Sequence, residues 1–262
     1  MDFITLVIIA VLVFLTGLLF APLGLGGGLL FVPILHYVGG LPINSSTLLI
    51  SLSLTTMTSF GSGLAHKKLG LWNVPTIKKA LSGAVPGSIV GVGIVTLMGK
   101  SLNIWFKGLA MILILWAIWK MSFKIRGLKR EMGEVKLSDP KLIFGASIGG
   151  MLSAILAMGS GAIYVPIYRT YAGLEHRMAI GSSYATMMVV IPVAFITHSM
   201  LLDGAFPDLQ LLLILPLSVL IGAMVGAKVG MKFSENTLMW VFVLVLGFIL
   251  LRYLVDLVIT FS

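Results

Sequence analysis

Long runs of the chain carry no charged side chain, and these runs alternate with short polar segments. Residues Phe3–His66 contain no Asp, Glu, Lys or Arg. Further charge-free runs are Ala80–Gly99, Leu142–Tyr168, Met178–Leu202 and Leu209–Ala227. Most of these runs reach the ~20 residues that a helix needs to cross ~30 Å of hydrocarbon. The pattern predicts an all-α polytopic membrane protein.

The apolar segments form two sets of five, separated by one long polar stretch. The first set lies near 3–20, 24–38, 44–65, 74–99 and 103–123. The second set lies near 141–157, 162–173, 177–200, 208–231 and 236–259. The polar stretch between them is rich in lysine and arginine. We therefore predict a first transmembrane repeat at 1–123, a basic cytoplasmic linker at 124–140 and a second transmembrane repeat at 141–262.

Composition agrees with the membrane assignment. Of 262 residues, 58% are hydrophobic and 10% are charged, an apolar share above that of soluble domains. The net charge of +9 comes from basic residues between apolar segments, as expected of loops that face anionic lipid, and it does not indicate nucleic-acid binding. The chain has no cysteine, which excludes disulfides and cysteine metal sites.

Internal similarity relates the two sets of segments. The run Gly26–Pro33 aligns with Gly159–Pro166 at an offset of 133 positions, and two glycines, a valine and a proline coincide. Further matches at offsets of 132 to 135 pair Ser51 with Ser183, His66 with His198, Gly87 with Gly222, Gly91 with Gly226, Ser101 with Ser234 and Asn103 with Asn236. A register kept over so much of the chain indicates two homologous repeats.

The distribution of lysine and arginine predicts how the repeats face the membrane, because cytoplasmic loops are enriched in these residues. Two loops are basic, His66–Lys79 and the central Lys124–Lys141. The counterpart of the first, His198–Asp208, has two aspartates and neither lysine nor arginine. Equivalent loops then lie on opposite sides, which predicts inverted repeats. Five crossings in each half place both termini outside, together with Lys100 and Lys107.

A competing arrangement treats the short segments near 24–38 and 162–173 as re-entrant. It gives four crossings in each half, parallel repeats and termini inside. Six basic residues then lie outside instead of two. The enrichment of lysine and arginine in cytoplasmic loops therefore favours the inverted arrangement.

The short segments also mark a candidate binding site. Each opens with a glycine-rich run, Gly24–Gly28 or Met158–Gly161, and has a proline seven positions after its first matched glycine. Broken helices at matching positions of two repeats are where secondary transporters bind substrate. Unpaired N–H groups at a helix start bind anions, and glycine lets a ligand approach the backbone. We therefore assign substrate binding to Gly26, Gly27, Gly28, Gly159, Ser160 and Gly161. The alternative is that these glycines only allow helices to pack closely.

Hydroxyl side chains follow both glycine-rich runs. They are Ser51, Ser53, Thr55 and Thr56 in the first half and Ser182, Ser183 and Thr186 in the second. Neutral donors suit a weakly basic oxyanion, so we assign Ser51, Thr55, Ser182 and Ser183 to the substrate as well. The alternative is that each hydroxyl bonds to the backbone of its own helix.

Two histidines and two glycine ladders have matching places in the repeats. His66 and His198 fall at predicted helix ends, where an interfacial anchor is the ordinary role and proton exchange near neutral pH is the other. The ladders Gly87–Gly91 and Gly222–Gly230 have four-residue spacing. Such spacing lets helices pack closely, so both ladders are interpreted as structural.

The acidic residues argue against a buried proton relay. All nine fall in loops or near the ends of predicted segments, whereas cation-coupled pumps commonly hold carboxylates within the membrane. The sequence contains no metal-ligand cluster and no motif of a hydrolase, protease or nucleotide-binding site. We therefore expect a carrier of a small anion that is not an enzyme and uses no cofactor and no metal.

These motifs resemble the TauE/SafE family of membrane proteins, often called sulfite exporters. The resemblance is carried by GLGGGLLFVPIL near residue 23, its counterpart AMGSGAIYVPIY near residue 157 and the segment AIGSSYAT near residue 179. It implies export of sulfite, a sulfonate or a related small anion across the cytoplasmic membrane of a prokaryote. It also implies functional roles for seven residues of these motifs, namely Gly26, Gly28, Gly159, Gly161, Gly181, Ser182 and Ser183. The first half departs from this pattern at Leu49–Ile50, where Gly181 and Ser182 would align.

Two other functions are compatible with the same residues. An anion channel of this architecture would use the same glycine-rich runs, but its flux would not saturate. A membrane scaffold or receptor subunit would instead bind a cytoplasmic protein through the basic linker at 124–140.

Overall fold

The structure is a computed structural model that describes residues 2–21, 27–125, 137–159, 161–202, 204–229 and 235–261. Every regular element in these ranges is a helix, which confirms the all-α class. Gly26, Ser160 and most of the predicted linker lie outside the described residues.

In the part of the chain that the structure describes, ten α-helices follow the predicted segments closely. The first half contains α1 (Phe3–Phe20), α2 (Gly28–Pro33), α3 (Ser45–Lys68), α4 (Val74–Met98) and α5 (Leu102–Ile125). The second half contains α6 (Asp139–Ile155), α7 (Gly161–Tyr171), α8 (His176–Met200), α9 (Leu209–Val229) and α10 (Glu235–Phe261). Among the described residues, seven helices are long and apolar enough to cross a membrane, namely α1, α3, α4, α5, α8, α9 and α10.

Polar residues fix the starts of three helices in the first half. The side chains of Asp2, Asn44 and Asn73 each accept a hydrogen bond from the backbone N–H three residues later. This arrangement satisfies one of the unpaired donors at each helix start. At Asn44 and Asn73 the cap stabilises the helix by about 1 kcal/mol. The caps mark where the chain re-enters the apolar region after each loop.

The helices of one half pack mainly against helices of the other half. In α9, a β-carbon added at Gly222 or Gly226 would collide with the backbone of Phe14 or Leu18 in α1. Residue numbers rise together along this contact, so α1 and α9 run in the same direction.

Helix α4 packs against α6 in the equivalent way. β-Carbons added at Gly83, Gly87 and Gly91 would collide with the backbone of Ile143, Ser147 and Met151, respectively. These two helices also run in the same direction. The glycine ladders therefore have the structural role that their spacing indicated, since they bring helix backbones from different halves into contact.

Helices α3 and α8 lie at the centre of the bundle. In each, 67% of the apolar window is buried, against 39% or less in the other five long helices. Ser46, at the start of α3, donates a hydrogen bond to Ala205 just before α9. The start of α8 lies beside the start of α4, where the Asn73 N–H donates to the Ser182 hydroxyl. Helices α1, α3 and α9 thus run one way, and α4, α6 and α8 run the other way.

The short helices double back along the long helices that precede them. Gly27 contacts Thr16 and Gly39 contacts Ile9, so the chain through α2 runs antiparallel to α1. In the second half, Tyr164 packs on Gly149 and Ile167 on Gly145. Helix α7 therefore runs antiparallel to α6 in the same way.

Helix α2 is extended by a π-helical turn, Ile34–Val38. The eleven residues Gly28–Val38 would rise about 16 Å, which is roughly half of a ~30 Å hydrocarbon core. The segment runs in one direction and does not return to its starting level. Each of the five helices in a half therefore runs opposite to the helix that precedes it. Helices at matching positions of the two halves run in opposite directions.

Basic residues concentrate at one end of the bundle, where α3 ends and α4 begins. This basic end carries Lys67, Lys68, Lys78, Lys79, Lys120, Lys141, Arg169, Arg177 and Lys228. The opposite end carries Lys100, Lys107 and Arg252. The sequence interpretation assigned only the two lysines to that end, because Arg252 lies inside the last apolar segment.

Gly87 and Gly93 of α4 have different surroundings, so a methyl group added at each position should have a different effect on stability. Gly87→Ala should destabilise the protein by about 1–3 kcal/mol, because the new β-carbon collides with the Ser147 backbone. Gly93→Ala is the matched control, since a β-carbon there meets nothing within 4 Å. Thermal unfolding in detergent, followed by loss of the monodisperse peak, measures the difference. Equal midpoints for the two variants would contradict the described α4–α6 contact.

Candidate functional site

The two glycine-rich breaks contact each other inside the bundle. A β-carbon added at Gly28 would collide with the backbone nitrogen of Gly159 and lie 2.8 Å from the α-carbon of Met158. Gly28 begins α2 and Gly161 begins α7. The structure therefore brings the starts of both short helices to one place, as the repeat pattern predicted.

Gly27 has a backbone conformation that favours glycine. Its φ is +66°, in the left-handed region, and it occupies the position before the first residue of α2. Its carbonyl accepts a hydrogen bond from the Leu30 N–H at 2.9 Å. A β-carbon at Gly27 would also lie 2.5 Å from a methyl group of Thr16. Both backbone strain and lack of space thus exclude a larger residue.

Ala157 forms the bend of the second break, and the sequence interpretation did not single it out. Its φ is 47°, and among the described residues other than glycine it alone has a positive φ. The Ser51 hydroxyl donates to its carbonyl oxygen at 2.7 Å, and the Thr55 hydroxyl lies 3.4 Å from the same oxygen. A hydroxyl from the first half therefore satisfies a backbone group that the bend leaves without a helical partner.

Thr55 contacts the second break through its methyl group as well. A β-carbon at Gly159 would lie 3.4 Å from the Thr55 methyl and 3.0 Å from the Met187 sulfur. The Thr55 hydroxyl makes its shorter bond, 2.9 Å, to the Ser51 carbonyl within α3. Ser51 and Thr55 thus lie at the second break, and their hydroxyl protons are directed to protein carbonyls.

The small-polar segment of α8 contacts a different part of the protein. The Ser182 hydroxyl accepts the Asn73 N–H at 2.9 Å, and a β-carbon at Gly181 would collide with the Leu71 carbonyl. The Ser183 hydroxyl donates to the Ile180 carbonyl in its own helix. The predicted hydroxyls are therefore divided, with Ser51 and Thr55 at the second break and Ser182 at the α3–α4 connection.

Of the seven predicted hydroxyls, Thr56 has no hydrogen-bond partner among the described residues. Ser53 donates to Ile50 in its own helix, as the alternative interpretation of these hydroxyls expected. Buried Ser62, one turn before His66, has no partner within the same described ranges. Thr56 and Ser62 are thus the hydroxyls of α3 that have a buried oxygen and no described hydrogen-bond partner.

The last carbonyls of α1 and α6 are bonded by side chains of α8. The Tyr184 hydroxyl donates to the carbonyl of Ala21 at 2.8 Å, and His198 Nε2 donates to the carbonyl of Ala154 at 3.2 Å. Ala21 and Ala154 are equivalent at the offset of 133. Sequence reasoning missed Tyr184, although its position directly after Ser183 was a signal.

The two histidines differ in their surroundings. His198 is 3% exposed, so its interpretation as an interfacial anchor is wrong, because the side chain points into the bundle toward α6. His66 bonds to the Ser62 carbonyl of its own helix at 2.8 Å. Its ring lies 5.5 Å from the ring of Tyr184. His198 therefore bonds directly to a carbonyl at the end of a broken helix, whereas His66 contacts only the ring of Tyr184, whose hydroxyl bonds to the other carbonyl.

Two buried tyrosines line α7 beside the second break. Thr186 donates to the Ser182 carbonyl at 3.0 Å, so its single proton is used, and Tyr168 is the donor in their 2.6 Å contact. Tyr164 stacks on Tyr168 with ring centroids 5.9 Å apart. Their four-residue spacing was the available sequence signal, since it places both rings on one helix face.

The helix bundle and its paired breaks define a multi-pass membrane protein with the architecture of a secondary transporter. The family model of the sulfite exporter TauE/SafE matches residues 9–253. The chain therefore belongs to the TauE/SafE family of membrane transporters, which agrees with the expectation that it is not an enzyme.

One curated relative supports the same class. A Haemophilus influenzae protein described as a probable membrane transporter protein is 29% identical over 177 residues, which cover 64% of this chain and 64% of the relative. The match thus spans less than two thirds of that relative's length. No solved structure matches the chain.

The bond between Ser51 and Ala157 predicts a stability difference between two neighbouring serines. Ser51→Ala should cost about 1–3 kcal/mol, because it leaves the buried Ala157 carbonyl without its short hydrogen bond. Ser53→Ala is the matched control, because its hydroxyl bonds only to a carbonyl of its own helix. Thermal midpoints of the two purified variants measure the difference. If both variants unfold at the same temperature, the described bond does not stabilise the break.

Proposed function

We propose that the protein is a secondary transporter that exports a small sulfur-containing oxyanion, such as sulfite or an organosulfonate. The family match supports this class of substrate. The observation that carries the proposal is the contact between Gly28 and Gly159, which places the starts of two short helices together inside the protein. An anion beside this contact would interact with the positive ends of two helix dipoles without a buried cation.

Backbone groups are the first ligands in this proposal. Gly26, Gly27, Gly28, Gly159, Ser160 and Gly161 would supply N–H donors and space for close approach of the anion. Ser51 and Thr55 would contribute only after their hydroxyls turn away from the Ala157 carbonyl, because they donate to protein carbonyls in the described conformation. Ser182 and Ser183 would act from the side of the α3–α4 connection.

We infer that the repeats are inverted and that the basic end faces the cytoplasm. The opposite directions of matching helices support the inversion, and the excess of lysine and arginine at one end supports the orientation. Both termini would then lie outside, and the protein would be located in the cytoplasmic membrane of a prokaryote. Movement of one repeat relative to the other would open the site alternately to each side.

Proton coupling through His66 and His198 is a further part of the proposal. His198 donates directly to the carbonyl of Ala154 at the end of α6, and the His66 ring contacts the ring of Tyr184, whose hydroxyl donates to the carbonyl of Ala21. A change in their protonation would alter these bonds and so would favour one conformation of the breaks. In liposomes, His198→Gln should reduce the effect of a pH gradient on sulfite flux while flux driven by the sulfite gradient continues. An unchanged response to the pH gradient would exclude His198 from coupling.

Flux measurements with matched glycine variants test the proposed substrate site. Liposomes that contain the parent protein should show saturable flux of labelled sulfite, with competition by thiosulfate, taurine or sulfoacetate ranking the substrates. Gly28→Ala should abolish this flux, because the new methyl group occupies the contact with Gly159, whereas Gly93→Ala should retain it.

The same experiment separates the other functions. Flux that rises in proportion to concentration without saturation would indicate a channel. No flux of any of these anions in either direction would contradict the transporter proposal and favour the scaffold function of the linker. If Gly28→Ala does not insert into the membrane, Thr55→Val is the alternative test of the substrate site. Valine keeps the side-chain shape but lacks the hydroxyl, so this variant should raise the KM for sulfite.

A further inference from the structure

An ion pair lies inside the helix bundle at the end opposite the basic end. The Lys107 ammonium of α5 donates to the Asp256 carboxylate of α10 at 2.9 Å, and the Tyr37 hydroxyl donates to the same carboxylate oxygen at 2.8 Å. Tyr37 belongs to the π-helical turn that extends α2. One oxygen atom thus connects three separate parts of the chain.

The ion pair is shielded from solvent on the lysine side. The side chain of Lys107 is 6% exposed and that of Asp256 is 27% exposed. Charged side chains within membrane segments are costly unless they are paired, and they commonly mark functional positions. Loss of Asp256 would leave Lys107 buried without its counter-charge, so the pair binds α5 and α10 together.

Other polar and charged groups surround this network. His36 Nε2 lies 3.8 Å from the Asp256 carboxylate, and its other ring nitrogen lies 2.7 Å from the Leu41 carbonyl. The Arg252 guanidinium lies 5.9 Å from the Tyr37 ring centre. The buried Tyr253 hydroxyl, on the same helix as Asp256, has no partner among the described residues. The π-helical turn that ends α2 therefore bonds to the Lys107–Asp256 pair through the Tyr37 hydroxyl, and the Tyr37 ring makes a tilted contact with the ring of Tyr253.

The residues at the positions equivalent to these three cannot form the same ion pair. At the offset of 133, Tyr37 corresponds to Thr170, Lys107 to Trp240 and Asp256 to Phe123. These residues carry no charge. The short helix of the first half is thus tied to α5 and α10 in a way that α7 of the second half is not, although the two helices occupy matching positions.

We propose that Lys107, Asp256 and Tyr37 are positioning residues that dock the far end of α2 on the α5–α10 pair. This docking keeps the substrate site closed toward the outer side. Helix α2 carries Gly28 at its other end, against Gly159. Release of Tyr37 would let α2 move as a unit and would separate these glycines. This inference rests on the proposed function for its consequence in transport, but the docking itself can be measured without any substrate.

The absence of cysteine from the chain provides a direct assay. Leu35, in the π-helical turn, is 0% exposed, so Leu35→Cys should react slowly with a small membrane-impermeant thiosulfonate added from outside. Asp256→Asn in this background should raise the labelling rate roughly tenfold, because the rate follows the ratio of undocked to docked α2. A tenfold change in that ratio corresponds to about 1.4 kcal/mol. Tyr37→Phe, which removes only a hydroxyl, should raise the rate by a smaller factor. Asp256→Glu should keep it near the parent value.

Two controls separate docking from general loosening. Asp139→Asn removes a carboxylate from the exposed Lys79–Asp139 pair at the basic end and should leave the labelling of Leu35→Cys unchanged. Val92→Cys is a second buried reporter, on α4, and should stay unreactive in the Asp256→Asn background. An equal rise at both reporters would overturn the proposal, because the effect would then be a loss of overall packing.

The outcomes also distinguish this inference from the proposed function. Unchanged labelling of Leu35→Cys in the Asp256→Asn and Tyr37→Phe variants would overturn the docking role even if the parent transports sulfite. Faster labelling in a protein that transports none of the tested anions would support the docking role and contradict the proposed substrate. Where Asp256→Asn does not insert, the comparison of Tyr37→Phe with the parent decides alone.

Discussion

Backbone groups at a helix break inside a membrane have no water to bond with, and the rest of this structure depends on how the protein supplies their partners. Each half contains a long helix that ends within the bundle and a short helix that starts there. The carbonyl of Ala21 is bonded by Tyr184, that of Ala154 by His198 and that of Ala157 by Ser51. The central helices α3 and α8 supply all of these side chains, which explains why they are the most buried long helices.

Close packing between the halves keeps the side chains of α3 and α8 next to the carbonyls that they bond. The glycine ladders bring α4 against α6 and α9 against α1 at backbone contact, so each broken helix pair is held by a helix from the other half. A relative movement of the halves would therefore move both breaks together. In the alternating-access mechanism that we propose, the same contacts that stabilise the bundle would link the opening of one side to the closing of the other.

The sequence predicted the helices well because the bilayer imposes a strong and local signal. Charge-free runs and the paired glycines each depend on a few adjacent residues. The contact between Gly28 and Gly159 agrees with the predicted repeats, because broken helices at matching positions of two repeats meet at one site in secondary transporters.

The hydrogen-bond partners could not be predicted in the same way. Ser51 and Ser182 are both serines on central helices, yet one bonds to a break and the other to a loop N–H, and tertiary packing alone decides between them. Ala157 gave no sequence signal, because alanine rarely adopts the left-handed conformation that its neighbours impose. The pairing of Asp256 with Lys107 was missed because the two residues lie 149 positions apart and each falls near a helix end.

The central claim is that the two breaks form one binding site for a small oxyanion. Equilibrium binding of labelled sulfite to the purified protein in detergent tests it most directly, since binding requires neither a gradient nor a particular direction of transport. The account predicts saturable binding of one sulfite per chain that organosulfonates displace and that Gly28→Ala removes while Gly93→Ala retains it. Saturable binding that persists unchanged in a folded Gly28→Ala protein would show that the anion binds elsewhere and would contradict the account.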